Sequence, residues 1–155
     1  MDNSAIVFES KALASGDFEK AWQIHSGELE AVCAIPTQFK GMGGGFSPED
    51  LFLQALINCF IGTFKVYAKA SALDFSNLEV NGSLTVDKDE SKKTIMKSCK
   101  LNIEMSGVEK PDRVETLVAK VFRDGFILNS VKTQINYHLR IDGVTSERNL
   151  ISKSL

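Results

Sequence analysis

Between Leu51 and Ala72 apolar side chains fall on nearly every side of a helical wheel: Leu51, Phe52, Leu53, Ala55, Leu56, Ile57, Cys59, Phe60, Ile61, Phe64, Val66 and Tyr67. A helix apolar all round is either a core helix or a membrane span. Gln54, Asn58 and Lys65 interrupt the run short of the roughly 20 residues a bilayer requires. The pattern therefore predicts a central helix of a soluble protein, about 36 Å long and wrapped by the rest of the chain. Its start is well marked. Ser47 can cap, Pro48 suits the first helical position, and Asp50 stands where a capping box needs it. Phe46 and Leu51 occupy the positions of a hydrophobic staple, and Glu49 and Asp50 put negative charge at the positive end of the helix dipole. The glycines just upstream (Gly41, Gly43, Gly44, Gly45) form a permissive run in which the backbone turns easily. Cys59 lies near the middle of the helix, on the stripe with Phe52, Ala55, Leu56, Thr63 and Val66.

Elsewhere the period changes to two. Ala5 to Leu13, Lys20 to His25 and Leu29 to Ile35 read as strands, separated by turn residues at Ser15-Gly16-Asp17 and Ser26-Gly27. Pro36 ends the third, because it cannot donate to a ladder. After the central helix, Leu78, Val80, Leu84 and Val86 alternate along Asn77 to Asp87, with Asn81-Gly82 predicting a bulge or bend. The charged run Lys88 to Lys93 predicts an exposed hairpin loop. Ile95, Cys99, Leu101, Ile103 and Met105 mark the buried face of a return strand. Pro111 opens a second helix with Val114, Leu117, Val118, Val121 and Phe122 at helical spacing, and Gly125 stands where it should stop. Phe126 to Val131 reads as a short helical connector. In the last strand Ile135, Tyr137, Leu139 and Ile141 face in, and Gln134, Asn136, His138 and Arg140 face out. The order β-β-β-α-β-β-α-β, with strands grouped, predicts an α+β fold with largely antiparallel sheet.

The 155 residues suit one domain, with a core over about residues 5–141 and a loose tail from 142 to 155. A net charge of −2 leaves no electrostatic footprint for nucleic acid or an anionic membrane. No N-terminal stretch has a signal-peptide layout, and three widely spaced cysteines without a CxxC pair point to free thiols in a reducing compartment. The expectation is a cytoplasmic protein without metal or cofactor. The glycine cluster lacks the GK[ST] ending of a phosphate-binding loop. His25 and His138 have no cysteine or carboxylate near them at metal-ligand spacing and read as surface residues. Cys33 and Cys99 fall on the apolar sides of strands and read as packing residues.

Cys59 has the same bland reading. A free thiol with a pKa near 8.5 is only about 3% thiolate at pH 7, and lowering that pKa by about 3 units takes roughly 4 kcal/mol. A neighbouring guanidinium is the usual source. Glu49 could orient one, but ten helical residues separate it from Cys59 by about 15 Å. Residue chemistry alone leaves Cys59 inert.

The run GGGFSPEDLFLQALINCFIGT resembles the OsmC/Ohr family, whose hallmark is a Gly-Gly segment, then Pro-Glu-x-Leu, then a cysteine ten residues after the glutamate. FRDGFILNSVKTQI resembles that family's second motif, and the element order matches over about residues 5–141. The resemblance implies an intertwined homodimer with two central helices side by side and a six-stranded sheet curled around each. It also implies a peroxidase chemistry at the dimer interface, directed at organic hydroperoxides. In it one cysteine attacks the hydroperoxide, and a second closes a disulfide that a dithiol reopens. Carried over by position, Cys59 matches the attacking cysteine and Glu49 the carboxylate that orients an N-terminal arginine. Gly125 occupies the place of the second cysteine, and the first 40 residues hold lysines (Lys11, Lys20, Lys40) but no arginine. A lysine cannot reproduce a guanidinium fork. The expectation is an OsmC-like protein with at most a single-cysteine peroxidase activity at Cys59, resolved by an external thiol. The alternative is a non-enzymatic homodimer that binds a small apolar ligand in the same pocket, among Phe52, Phe60 and Phe126.

Overall fold

The computed structural model describes residues 4–146 and divides into two compact units, Met1–Phe52 and Leu53–Leu155. In the first unit β1 (Lys11–Leu13), β2 (Trp22–Ser26) and β3 (Leu29–Cys33) form an antiparallel sheet in that order. β1 is much shorter than the alternation from Ala5 predicts. The register explains this: Lys11 already pairs with His25, and the chain turns at Gly27 (φ 61°), so residues before Lys11 find no strand to pair with. Ile6, Val7 and Phe8 are accordingly exposed.

The glycine-rich loop folds back onto β3. Phe46 N–H donates to Val32 O (2.9 Å) and Ala34 N–H to Phe46 O (3.0 Å). A Cβ on Gly45 would stand 2.8 Å from Val32 O, so only glycine allows that approach. The loop delivers Ser47 to the start of α1 (Pro48–Ala70). There the capping box forms in full: Ser47 Oγ accepts from Asp50 N–H at 3.0 Å, and Asp50 Oδ2 accepts from Ser47 N–H at 2.9 Å.

The second unit packs the remainder of α1 and α2 (Pro111–Asp124) with a four-stranded sheet: β4 (Asn77–Lys88), β5 (Thr94–Ser106), β6 (Gln134–Ile141) and β7 (Val144–Thr145), in that order. Leu56, Ile57, Phe60, Phe64 and Ala68 form the buried face of α1. α2 contributes Val114, Leu117, Val118, Val121 and Phe122. Phe60, Phe122 and Tyr137 join the layers, with ring centroids 5.3 and 4.4 Å apart.

Several expectations are corrected. The central helix is not wrapped all round: Cys59 is half-buried and Val66 is 65% exposed. Among the described residues the strands form two sheets, of three and four strands. β5 and β6 are parallel, because α2 connects them as a crossover and returns the chain in the same direction. The irregularity in β4 lies between Thr85 and Val86, while Asn81 and Gly82 stay in register opposite Asn102 and Leu101. Gly82 serves packing instead. A Cβ there would stand 2.9 Å from Leu53 Cδ1 and 3.0 Å from Ile57 Cδ1, so the bare position lets α1 lie close to the sheet. Residues 126–130 form a turn, not a helix. The presumed loose tail begins with a strand, since Asp142-Gly143 takes the positive φ values of a tight hairpin turn (48° and 80°) and brings β7 onto β6. Residues 147–155 of that tail lie outside the described residues.

Candidate functional site

Cys59 opens into a cavity of about 460 Å³ in the second unit, lined by Asn58, Cys59, Gly62, Thr63, Val66, Tyr67, Asp124 and Phe126. Six of these come from one face of α1 at offsets set by the helical repeat, and the opposing wall is the end of α2 and the turn after it. Thr63 and Val66 share the Cys59 stripe as the sequence predicts. Of the three aromatics expected around the site, Phe126 lines the cavity and is 85% exposed. Phe60 instead points into the core against Phe64 and Phe122. Phe52 is not among the lining residues.

Gly125 is buried directly beside the thiol: a Cβ at this position would lie 3.3 Å from Cys59 Sγ. Its backbone is extended (φ −60°, ψ 125°), so it ends α2 without the left-handed conformation that usually calls for glycine. The turn that follows is held by Asn129. Its side-chain amide donates to Arg123 O and Gly125 O, each at 2.7 Å, and its backbone N–H donates to Gly125 O at 2.9 Å. Ser130 Oγ–H donates to Phe126 O at 2.6 Å. This clamp keeps the Gly125–Phe126 segment against the sulfur.

The far end of the cavity is polar. Tyr67 O–H donates to Asp124 Oδ2 at 3.0 Å, and Arg123 grips the same carboxylate through Nε (2.9 Å) and Nη2 (3.3 Å). The Lys120 ammonium sits 4.3 Å from the Tyr67 ring centroid. The Arg123 hydrogen bond holds the Asp124 carboxyl below its ordinary value, and the hydrogen bond to Asp124 raises the Tyr67 hydroxyl. Tyr67 and Asp124 escape a reading of the sequence alone, although Tyr67 stands two helical turns beyond Cys59. Arg123 is thus committed to Asp124, and Arg140 to Glu104 (3.2 Å). Among the described residues the Cys59 thiol makes no hydrogen bond or ion pair.

Glu49 does not line this cavity. It belongs to the first unit, in the first turn of α1, where its Oε2 is buried with no hydrogen-bond partner among the described residues. Cys33 and Cys99 are buried as their strand faces predict (2% and 1% exposed). Burial pushes the Cys99 thiol up to about 11 and raises Cys33 as well. His25 lies 3.7 Å from the Glu30 carboxylate, and among the described residues no cluster of metal-ligating side chains occurs.

Residues 41–140 match the family described as OsmC-like protein. An uncharacterized protein of Acinetobacter baylyi is 31% identical over 68 residues, 44% of this chain. The chain spans about half the length of that curated relative (48%). Among solved structures, an OsmC-like protein of unknown function from Vibrio cholerae is similar with a TM-score of 0.77 at 17% identity, covering 88% of this chain and 99% of that one. An organic hydroperoxide resistance protein, OsmC, from Legionella pneumophila gives a TM-score of 0.69 at 20% identity, covering 90% and 98%.

Proposed function

Because the chain belongs to the OsmC-like protein family, we propose that it reduces organic hydroperoxides with Cys59 as its one reacting thiol and an external thiol as reductant. The observation that carries this reading is a thiol in the wall of a cavity of about 460 Å³, with a glycine where a second protein sulfur would have to stand. The Cys59 thiolate attacks the terminal peroxide oxygen. The O–O bond breaks, the alkoxide takes a proton and leaves as an alcohol, and the sulfur becomes a sulfenic acid. An external thiol then condenses with it, giving a mixed disulfide and water. A second thiol displaces the first as a disulfide and returns Cys59 to the thiol. Two electrons reach the peroxide, one from each external thiol. Gly125 leaves the sulfur open to that partner. The Legionella pneumophila neighbour is named for organic hydroperoxide resistance, which supports the substrate class.

The unpaired state of the thiol favours a second reading, in which the cavity binds a small apolar molecule against Val66 and Phe126 and Cys59 only packs. Under either reading a second copy of the chain covers exposed apolar residues such as Phe8 and Leu29, making a homodimer. Sedimentation tests the dimer. Intact-mass measurement after stoichiometric cumene hydroperoxide, with dimedone present, tests the chemistry. A gain of about 16 Da or a dimedone adduct that disappears in Cys59→Ser supports the reductase. An unmodified Cys59, under conditions where an ordinary free thiol reacts, overturns it in favour of the binder.

A further inference from the structure

The half-buried sulfur of Cys59 has a covered side, and the segment set against that side is Gly125, where a Cβ would lie 3.3 Å from Sγ. Whatever lies over the open face of α1, this wall belongs to the chain itself. Gly125 has no side chain to anchor it, and Phe126 beside it is 85% exposed. The Asn129 hydrogen bonds to Arg123 O and Gly125 O close within the segment and hold its shape. A tie to the helix that carries the thiol comes from Tyr67, whose O–H donates to Asp124 Oδ2 at 3.0 Å. Asp124 is the last residue of α2 and is bonded directly to Gly125. Arg123 binds the same carboxylate through Nε and Nη2, which keeps it ionised and a strong acceptor.

We infer that Tyr67 is a positioning residue for the chemistry at Cys59: through Asp124 its hydroxyl holds the Gly125 wall against the sulfur and sets how readily a reagent reaches it. Without the hydrogen bond the end of α2 opens locally more often, and the covered side of the sulfur is uncovered. The inference rests on the hydroperoxide reading only for what the wall serves, which is to restrict the peroxides and external thiols that reach Cys59.

The test compares wild type, Tyr67→Phe, Asp124→Ala and Asp124→Asn in the full-length protein, with alkylation by N-phenylmaleimide located by peptide mass. Tyr67→Phe keeps the ring under Lys120 and removes only the hydroxyl. It should speed Cys59 alkylation by about three- to tenfold, the factor expected for one lost hydrogen bond. Asp124→Ala should do the same, and the double variant should add nothing further. Asp124→Asn, whose amide oxygen still accepts from Tyr67, should stay near wild type. The midpoint of the pH profile of alkylation should not move, because the wall acts on access and not on the charge of the thiol. Cys33 and Cys99, 2% and 1% exposed, report on general loosening of the fold. An unchanged Cys59 rate in Tyr67→Phe overturns the inference, as do a shifted midpoint or an equal rise at Cys99. A faster Cys59 in Tyr67→Phe, with no variant consuming cumene hydroperoxide, would leave the positioning role standing and remove the hydroperoxide reading.

Discussion

Replacing Gly125 by cysteine should create a disulfide with Cys59. The backbone at 125 is extended (φ −60°), so an L side chain enters without conformational strain. Its Cβ would fall 3.3 Å from Cys59 Sγ. Disulfide geometry sets the Cβ of one half about 3 Å from the sulfur of the other, so a shift of a few tenths of an ångström closes the bond. Two neighbours resist: Leu128 Cδ1 and Val121 O would each lie 2.9 Å from the new Cβ. The leucine methyl can swing aside, but the carbonyl is fixed in the last turn of α2. Closing a loop of about 66 residues stabilises by about 4 kcal/mol in the chain-entropy account. Overpacking of this kind costs about 1–3 kcal/mol. The reduced variant carries the same crowded Cβ, so the oxidised variant should be more stable than its own reduced form by about 4 kcal/mol, or about 8–16 °C in melting temperature, and more stable than wild type by about 2 kcal/mol. The assay is a pair of thermal melts with and without dithiothreitol, alongside thiol titration and non-reducing peptide mapping. Full alkylation of both cysteines after mild oxidation would refute the placement of Gly125 against the sulfur. So would a 59–125 bridge found only between two chains.

Three further outcomes follow from the same structure. Asn129→Ala removes the side-chain hydrogen bonds to Arg123 O and Gly125 O. It should cost about 1–2 kcal/mol, with faster hydrogen exchange confined to residues 125–130. Burial raises the Cys99 thiol from 9.0 to about 11. The unfolded chain thus loses this proton first, so the contribution is complete below about pH 9 and is lost as pH rises through about 11. Denaturant titrations across that window should show a steeper alkaline decline in wild type than in Cys99→Ala. Gly82→Val should lower stability by about 2 kcal/mol, because the new side chain meets Leu53, Ile57 and Leu101 together. Unchanged urea unfolding would contradict the close helix–sheet contact at this position.

Local chemistry was readable from the residues. The capping box at Ser47 and Asp50, the period-two face of β6 and the burial of Cys33 and Cys99 all depend on neighbours within a few positions, and each forms as its pattern predicts. The match of motif spacing reached further: it related Gly125 to Cys59, and the two lie side by side across some sixty residues of chain. Two further short-range signals are in the sequence: Asp142-Gly143 encodes the β6–β7 hairpin, and offsets of three and eight from Cys59 add Gly62 and Tyr67 to the stripe that already holds Thr63 and Val66.

Other features exist only in three dimensions. Hydrophobic periodicity says that a residue is apolar, not which surface meets it. It therefore could not tell that Phe60 faces the core while Phe126 faces the cavity, or that one side of α1 stays open. Sheet direction depends on the path of the connection, so the parallel pairing of β5 with β6 appears only once α2 is seen to cross between them. A glycine's purpose depends on what its missing Cβ would have touched. Gly82 makes room for a helix, Gly125 lies against a sulfur and Gly62 faces empty space, and nothing in the letter itself separates the three.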